Sequence, residues 1–437
     1  MSIRTWWKRL IGETPARRRS GQSFDRSAQA LEPRELLTVF STETVANTTR
    51  VLNQIDVATA SNGTDRSVAV WVHLASPTNA DIRAQLFDNN GVKTGPEIQV
   101  ADTTKSELKP AVAMDSLGNF VVTWQVLQTT RAVDVVYYGL TKQRVPTPVN
   151  PAPSDPPPRN VIDIAAQRFD SNGSPMGNRL IVANSSIDEF DPSIAMTPQG
   201  PFVISYTAQV STTNQDIRAR LFFANGSTQR DITVASASNF NECRSSVGRA
   251  NDGRIVVAYE STRANTNDSN IQLARISPSG IVQAVDAVAT SGSSDDERPS
   301  VSVDRFGNSV VVWEHFRSPT NRDIWSRTVS SIGQLGSVVT VTSGLYDEDL
   351  PTVAMHPSNG SYVVGFVSNN ERVIVAEVSS AGVVERRANL VTGSFAPSIT
   401  MFEDGQYIVA YDRLVSASRD ILFRRGQFGG GGTIGSP

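Results

Sequence analysis

The chain has 437 residues, 39% hydrophobic and 19% charged, with a formal net charge of −3. A single cysteine, Cys243, excludes an intramolecular disulfide and a cysteine-rich metal site. No apolar run approaches the roughly 18 residues that a membrane-spanning helix needs. The charge is uneven: residues 1–38 carry +4 and the remainder −7. A mildly acidic body argues against a nucleic-acid footprint.

Residues 1–38 lack strand alternation, and their Arg17-Arg18-Arg19 run with scattered Ser and Gln predicts a disordered leader. Trp6-Trp7-Lys8-Arg9-Leu10-Ile11 is too short and too charged for the apolar core of a standard secretory signal. Then comes Leu31-Glu32-Pro33-Arg34-Glu35-Leu36-Leu37. This segment resembles the LEPR-XLL leader of planctomycete proteins presumed to be exported or surface-located. The resemblance implies a destination outside the cytoplasm and says nothing of activity.

From residue 41 to residue 428 one pattern recurs seven times, at a spacing of about 53 residues. Each copy has a strand a starting near a Pro, a Gly turn, a β-branched strand b ending in an aromatic, and a strand c opening on an Asp-Ile step. In the complete copies a second turn and a strand d follow. The aromatics are Trp71, Trp124, Tyr206, Tyr259, Trp313, Phe366 and Tyr411. Runs such as Phe120-Val121-Val122-Thr123-Trp124 are apolar on both faces and predict burial on both. Four short strands per repeat predict an all-β, seven-bladed β-propeller over residues 39–428. These repeats also look like the uncharacterised repeat region of large bacterial surface proteins, with their Pro-x-Val-Ala, Asp-x-x-Gly and Val-Val-x-Trp segments.

The last copy lacks a strand d, because a Gly-rich tail (429–437) follows Phe428. Upstream of the first copy, Glu43-Thr44-Val45-Ala46-Asn47-Thr48-Thr49 matches the strand d segment that begins at Glu97. Residues 41–47 are therefore expected to complete the last blade and close the ring, removing its unpaired edges. In blade two, residues 126–162 form an insertion that contains Pro146, Pro148, Pro151, Pro153 and Pro156-Pro157-Pro158. Such a segment favours polyproline II and stays out of a sheet. It reads as a solvated loop or as a partner-binding arm.

Candidate functional residues fall into two sets. Glu107, Glu189, Glu242, Asp296 and Glu348 each lie three residues before the expected start of strand a, where a d–a loop would place them around the channel mouth. A ring of five carboxylates there would draw a cation or a basic partner. Alternatively, each caps its own loop or pairs with Lys109, Arg244 or Arg298. The second set, Glu260, Glu314 and Asp412, follows the blade aromatic where other copies have Val72, Gln125, Thr207 and Val367. With Arg263, Arg317, Arg322, Arg413 and Arg419 nearby, these acids could serve glycosidic bond cleavage. Ion pairing explains them equally well.

No sialidase-type Asp box, EF-hand loop, nucleophile elbow, zincin motif or P-loop occurs. Asp88-Asn89-Asn90-Gly91 and Asp170-Ser171-Asn172-Gly173 faintly resemble calcium loops, but turn chemistry suffices at c–d hairpins. His73 and His315 fall in repeats one and five, too far apart on a ring to share a metal. The sequence implies no cofactor, no nucleic-acid partner and a monomer. The leading expectation is a non-catalytic binding or structural module outside the cytoplasm. It would take a glycan or protein on the face of the d–a and b–c loops. A carbohydrate-active hydrolase or lyase, or a calcium-stabilised adhesion module, are the alternatives.

Overall fold

The computed structural model describes residues 40–429, apart from 51, 77–78, 129–161, 265, 267, 291–293, 319, 369–370 and 416–417. The leader with its LEPR-XLL segment, most of the blade-two insertion and the Gly-rich tail beyond Gly429 lie outside the described residues. Those residues contain only strands and connections, arranged as seven four-stranded antiparallel sheets. Each sheet is one blade of a seven-bladed propeller.

Blade one shows the plan, with strands a to d at Gln54–Ser61, Arg66–Ser76, Asn79–Asp88 and Lys93–Ala101. Strands a of adjacent blades contact one another around the ring, and strand c of each blade packs on strand a of the next. Strand b takes the most burial. Phe120–Leu127 is buried at every position, as its unbroken apolar run requires. The blade aromatics fill the widening space between sheets, and Trp71, Trp124, Trp313 and Tyr411 are fully buried. Outer strands such as Val282–Ala289 alternate between half-buried and exposed residues over most of their length.

The ring closes as the repeat ends require. Thr44–Val45 pairs with Ser418–Gln427 in register Thr44↔Phe423 and Val45↔Leu422, giving the last sheet its fourth strand. Backbone bonds extend the pairing: Ser41 N donates to Arg425 O (3.0 Å) and Ala46 N to Ile421 O (2.7 Å). Side chains lock it. Asn47 Nδ2 donates to Asp420 Oδ1 (2.8 Å), and Asn47 Oδ1 accepts from Ile421 N (2.8 Å). Glu43 accepts from Tyr411 Oη (2.6 Å) and Arg413 Nη1 (2.7 Å).

Strand a differs from expectation. It starts before the Pro, as in Ser106–Met114, with Pro110 inside it. The register shifts between Leu108 and Ala111, and all seven copies shift at the same point. A proline has no N–H for the ladder, so it sits at this bulge rather than at a strand end. The bulge hides the continuation of the strand from any pattern with period two.

Candidate functional site

The bulge places one residue per blade in the left-handed region. These are Asp56, Lys109, Asp191, Arg244, Arg298, Leu350 and Ala396, with φ between 47° and 59°. A residue with a Cβ pays roughly 1–2 kcal/mol for that conformation, so its surroundings must hold it there. Lys109 Nζ lies 3.2 Å from Asp56 Oδ2 of the preceding blade. The charges of Asp191 in blade three and Arg298 in blade five also act on Lys109, and its ammonium is held above its ordinary value chiefly by Asp56. Interactions reaching across four blades put this set around the channel axis. Five of its members are charged, and Leu350 and Ala396 form an uncharged sector.

In four blades the residue after the blade aromatic holds the strained turn of the next blade. Gln125 Oε1 accepts from Asp191 N (2.9 Å), and Thr207 Oγ1 accepts from Arg244 N (3.2 Å). Glu260 Oε2 accepts from Arg298 N (3.4 Å), and Glu314 Oε1 accepts from Leu350 N (2.9 Å). A bulge amide has no ladder partner, and an unmet buried N–H costs about 1–3 kcal/mol. Where this position carries a side-chain acceptor, the acceptor takes up that amide. Glu260 and Glu314 are charged versions of what Gln125 and Thr207 do.

Arginines neutralise these acids. Arg244 Nη1 lies 2.7 Å from Glu260 Oε2 and 3.4 Å from Glu297 Oε2. Glu314 meets Arg322 Nη1 at 2.9 Å and Arg298 Nη1 at 3.6 Å. Arg322 also reaches Asp347 (2.5 Å) and Asp349 (3.5 Å) of the next d–a loop and blade. Asp412 Oδ2 meets Arg419 Nη1 at 2.6 Å, while Arg419 stacks over Phe395 at 4.2 Å. Exposures are 4% for Glu260, 0% for Glu314 and 2% for Asp412, so all three acids are buried. Burial raises all three carboxyls against the pull of their arginines, Asp412 to about 6.

Glu107, Glu189, Glu242, Asp296 and Glu348 do not open onto the channel mouth. They are strand residues inside the blades, 0, 1, 3, 1 and 6% exposed. The reason is the early start of strand a, which converts an expected loop position into a ladder position. The loop-capping alternative describes them better. Glu107 accepts from Thr103 Oγ1 (2.5 Å), Glu242 from Ala237 N (3.2 Å) and Glu348 from Thr342 Oγ1 (2.9 Å). Glu189 accepts from Ser185 N (3.2 Å). Asp296 accepts from Trp313 Nε1 and meets His315 Nδ1, each at 2.8 Å, and His315 stacks on Trp325. Gln54 repeats this in blade one with Trp71 Nε1 and His73 Nδ1, both at 3.0 Å. The two histidines are thus held in separate blades.

Burial beside the Asp323 charge pushes Glu348 up to about 7. The folded chain keeps that proton up to pH 7, whereas the unfolded chain releases it near 4.5. Stability from Glu348 is therefore complete below pH 4.5 and lost as pH rises through 7, by about 3 kcal/mol. Glu348→Gln, which cannot ionise, is expected to raise the melting temperature at pH 8 and leave it nearly unchanged at pH 4. Thermal melts at the two pH values check this; an equal shift at both would remove Glu348 as the titrating group.

Cys243 is a buried free thiol. Asp88 Oδ1 accepts from Asn90 N (2.9 Å) and Val92 N (2.8 Å), so that hairpin is held by turn chemistry, and Asp170 does the same. Among the described residues no three His, Cys, Asp or Glu gather around a common point for a metal ion.

No protein-family model and no curated protein matches the chain. Solved structures do resemble it. A protein of unknown function from Dyadobacter fermentans has a TM-score of 0.54 at 10% identity, covering 90% of this chain and 98% of that one. A polysaccharide lyase of family PL25, an ulvan lyase bound to -[GlcA(1-4)Rha3S]-, has a TM-score of 0.52 at 10% identity, covering 89% and 96%. At this identity the likeness is one of fold.

Proposed function

We propose that this chain is a non-catalytic binding or structural propeller that works outside the cytoplasm and takes a glycan or protein ligand on the d–a and b–c loop face. One observation carries the reading: Glu260, Glu314 and Asp412, the acids best placed for chemistry on that face, are buried and committed to arginines. What remains accessible is suited to recognition. Lys109 and Arg317 expose 38% and 49% of their side chains, and Leu52, Tyr346 and Leu414 are exposed at the same loop ends. The export reading rests on the resemblance of Leu31–Leu37 to the LEPR-XLL leader.

A second reading, a carbohydrate-active lyase or hydrolase, is favoured by the shared fold with the ulvan lyase. Incubation with acidic and neutral polysaccharides separates the two. Retention on immobilised glycan without new chain ends supports a binding module. Release of unsaturated or reducing ends supports an enzyme.

A further inference from the structure

The charges on the d–a and b–c loop face are not spread evenly. Four residues past the blade aromatic, at the b–c turn, blade five carries Arg317 and blade four Arg263. Blades one, two, three and seven have Ala75, Gln128, Val210 and Val415 there. Both arginines are exposed, whereas the acids of the surrounding loops, Asp268, Asp295 and Asp347, are half-buried. Among the described residues the exposed acids of this face are Asp102 and Glu371, which lie on loops of other blades. Blades four and five thus present two guanidinium groups at equivalent places, one blade apart.

The d–a loop that follows blade five adds apolar surface. Leu345 and Tyr346 are 95 and 56% exposed, and among the described residues Tyr346 is the one exposed aromatic of this face. The loop is braced on both sides of them. Asn321 Nδ2 donates to Gly344 O (3.1 Å), and Arg322 donates through its backbone N (3.0 Å) and Nε (2.8 Å) to Asp347 Oδ1. Asn321 and Arg322 end the turn that begins at Arg317, so these bonds join the loop of Tyr346 to the loop of Arg317. Arg317 is itself oriented, with its Nε 2.7 Å from Asp323 Oδ2 and 49% of its side chain exposed. In blade four, Arg263 O accepts from Thr266 N (3.1 Å) and Thr266 Oγ1 (2.9 Å), which fixes that turn.

We propose that an anionic polysaccharide binds across blades four and five of this face, with its carboxylate or sulfate groups on Arg263 and Arg317 and one sugar ring on Tyr346. The inference rests on the reading of the chain as a binding propeller and adds the ligand class and the site. A guanidinium offers paired N–H donors to the oxygens of such an acid group. The electron-rich face of an aromatic ring receives the C–H side of a sugar. Two cations at equivalent places on successive blades suit a polymer whose acid groups recur along its length. Because the loops are already braced, binding has little left to order.

Binding of the full chain to dextran sulfate, polygalacturonate and uncharged dextran tests this, with a duplex DNA oligonucleotide as a second polyanion. Retention by dextran sulfate or polygalacturonate, and not by dextran, is expected, and the tighter of the two names the acid group. Arg263→Ala and Tyr346→Ala change exposed side chains, so each should keep the wild-type melting temperature and weaken binding about tenfold. Arg317→Lys keeps a charge beside Asp323 and should also weaken binding, because the paired donors are lost. Arg50→Ala, on the loop between blades seven and one, should leave it unchanged. Equal retention by dextran, no retention by either acidic polymer, DNA bound as tightly as the polysaccharides, or an equal loss in Arg50→Ala overturns this site. The reading of a binding module fails separately, on the release of new chain ends.

Discussion

Deleting residues 40–47 is expected to remove most of the stability of the whole ring. The segment makes five hydrogen bonds with the last strand c through Ser41, Ala46 and Asn47, and it anchors Tyr411 and Arg413 through Glu43. At about 1 kcal/mol per bond these alone contribute several kcal/mol. The deletion also uncovers Ile421 and Phe423, which are 0 and 3% exposed, at about 1.5–3 kcal/mol for each large side chain. The sum approaches the 5–15 kcal/mol that holds a typical domain folded. Losing this strand also leaves Ser418–Gln427 as an open edge, so the variant should associate as well as melt early. Chemical denaturation and light scattering check both effects. A variant that stays monodisperse and keeps its denaturation midpoint would show that the ring does not depend on its clasp.

Glu314→Ala is expected to be the most damaging single change on the loop face. Its carboxylate is fully buried and joins Arg322, Arg298 and the Leu350 amide, so one truncation leaves Arg298 and the amide without their acceptor and leaves Arg322 only Asp347 and Asp349. Removing one partner of a buried ion pair costs about 3–5 kcal/mol. Thr207→Ala removes a neutral acceptor at the equivalent place and should cost only about 1–2 kcal/mol. Denaturation of the two variants side by side measures the difference. Equal losses would mean that the amide cap, and not the ion network, carries the effect.

The blade count was legible because Val-Val-x-Trp runs need burial on both faces, and only sheets packed between neighbours provide it. The closing strand was legible because residues 43–49 repeat the pattern that starts at Glu97, and the last copy has no strand d. The true start of strand a was hidden. Pro110 and its equivalents look like strand beginnings, yet they mark a bulge inside a longer strand. That misplacement by a few residues moved five carboxylates from the blade interior to an imagined channel mouth. The residues in the left-handed region left no sequence signal either, since Lys109, Arg244 and Leu350 occupy a conformation that glycine usually marks. Glu260, Glu314 and Asp412 stood out as departures from the repeat. Glu260 and Glu314 serve as acceptors for the next blade's bulge amide, a role that Gln125 and Thr207 fill without charge.

The most direct measurement is turnover of acidic polysaccharide by the wild-type chain and by Glu314→Gln and Asp412→Asn variants, with binding to the same polymer followed in parallel. A scaffold role for these acids predicts binding without new chain ends in every protein. New chain ends made by the wild type and abolished in folded variants would contradict it and make the buried acids catalytic.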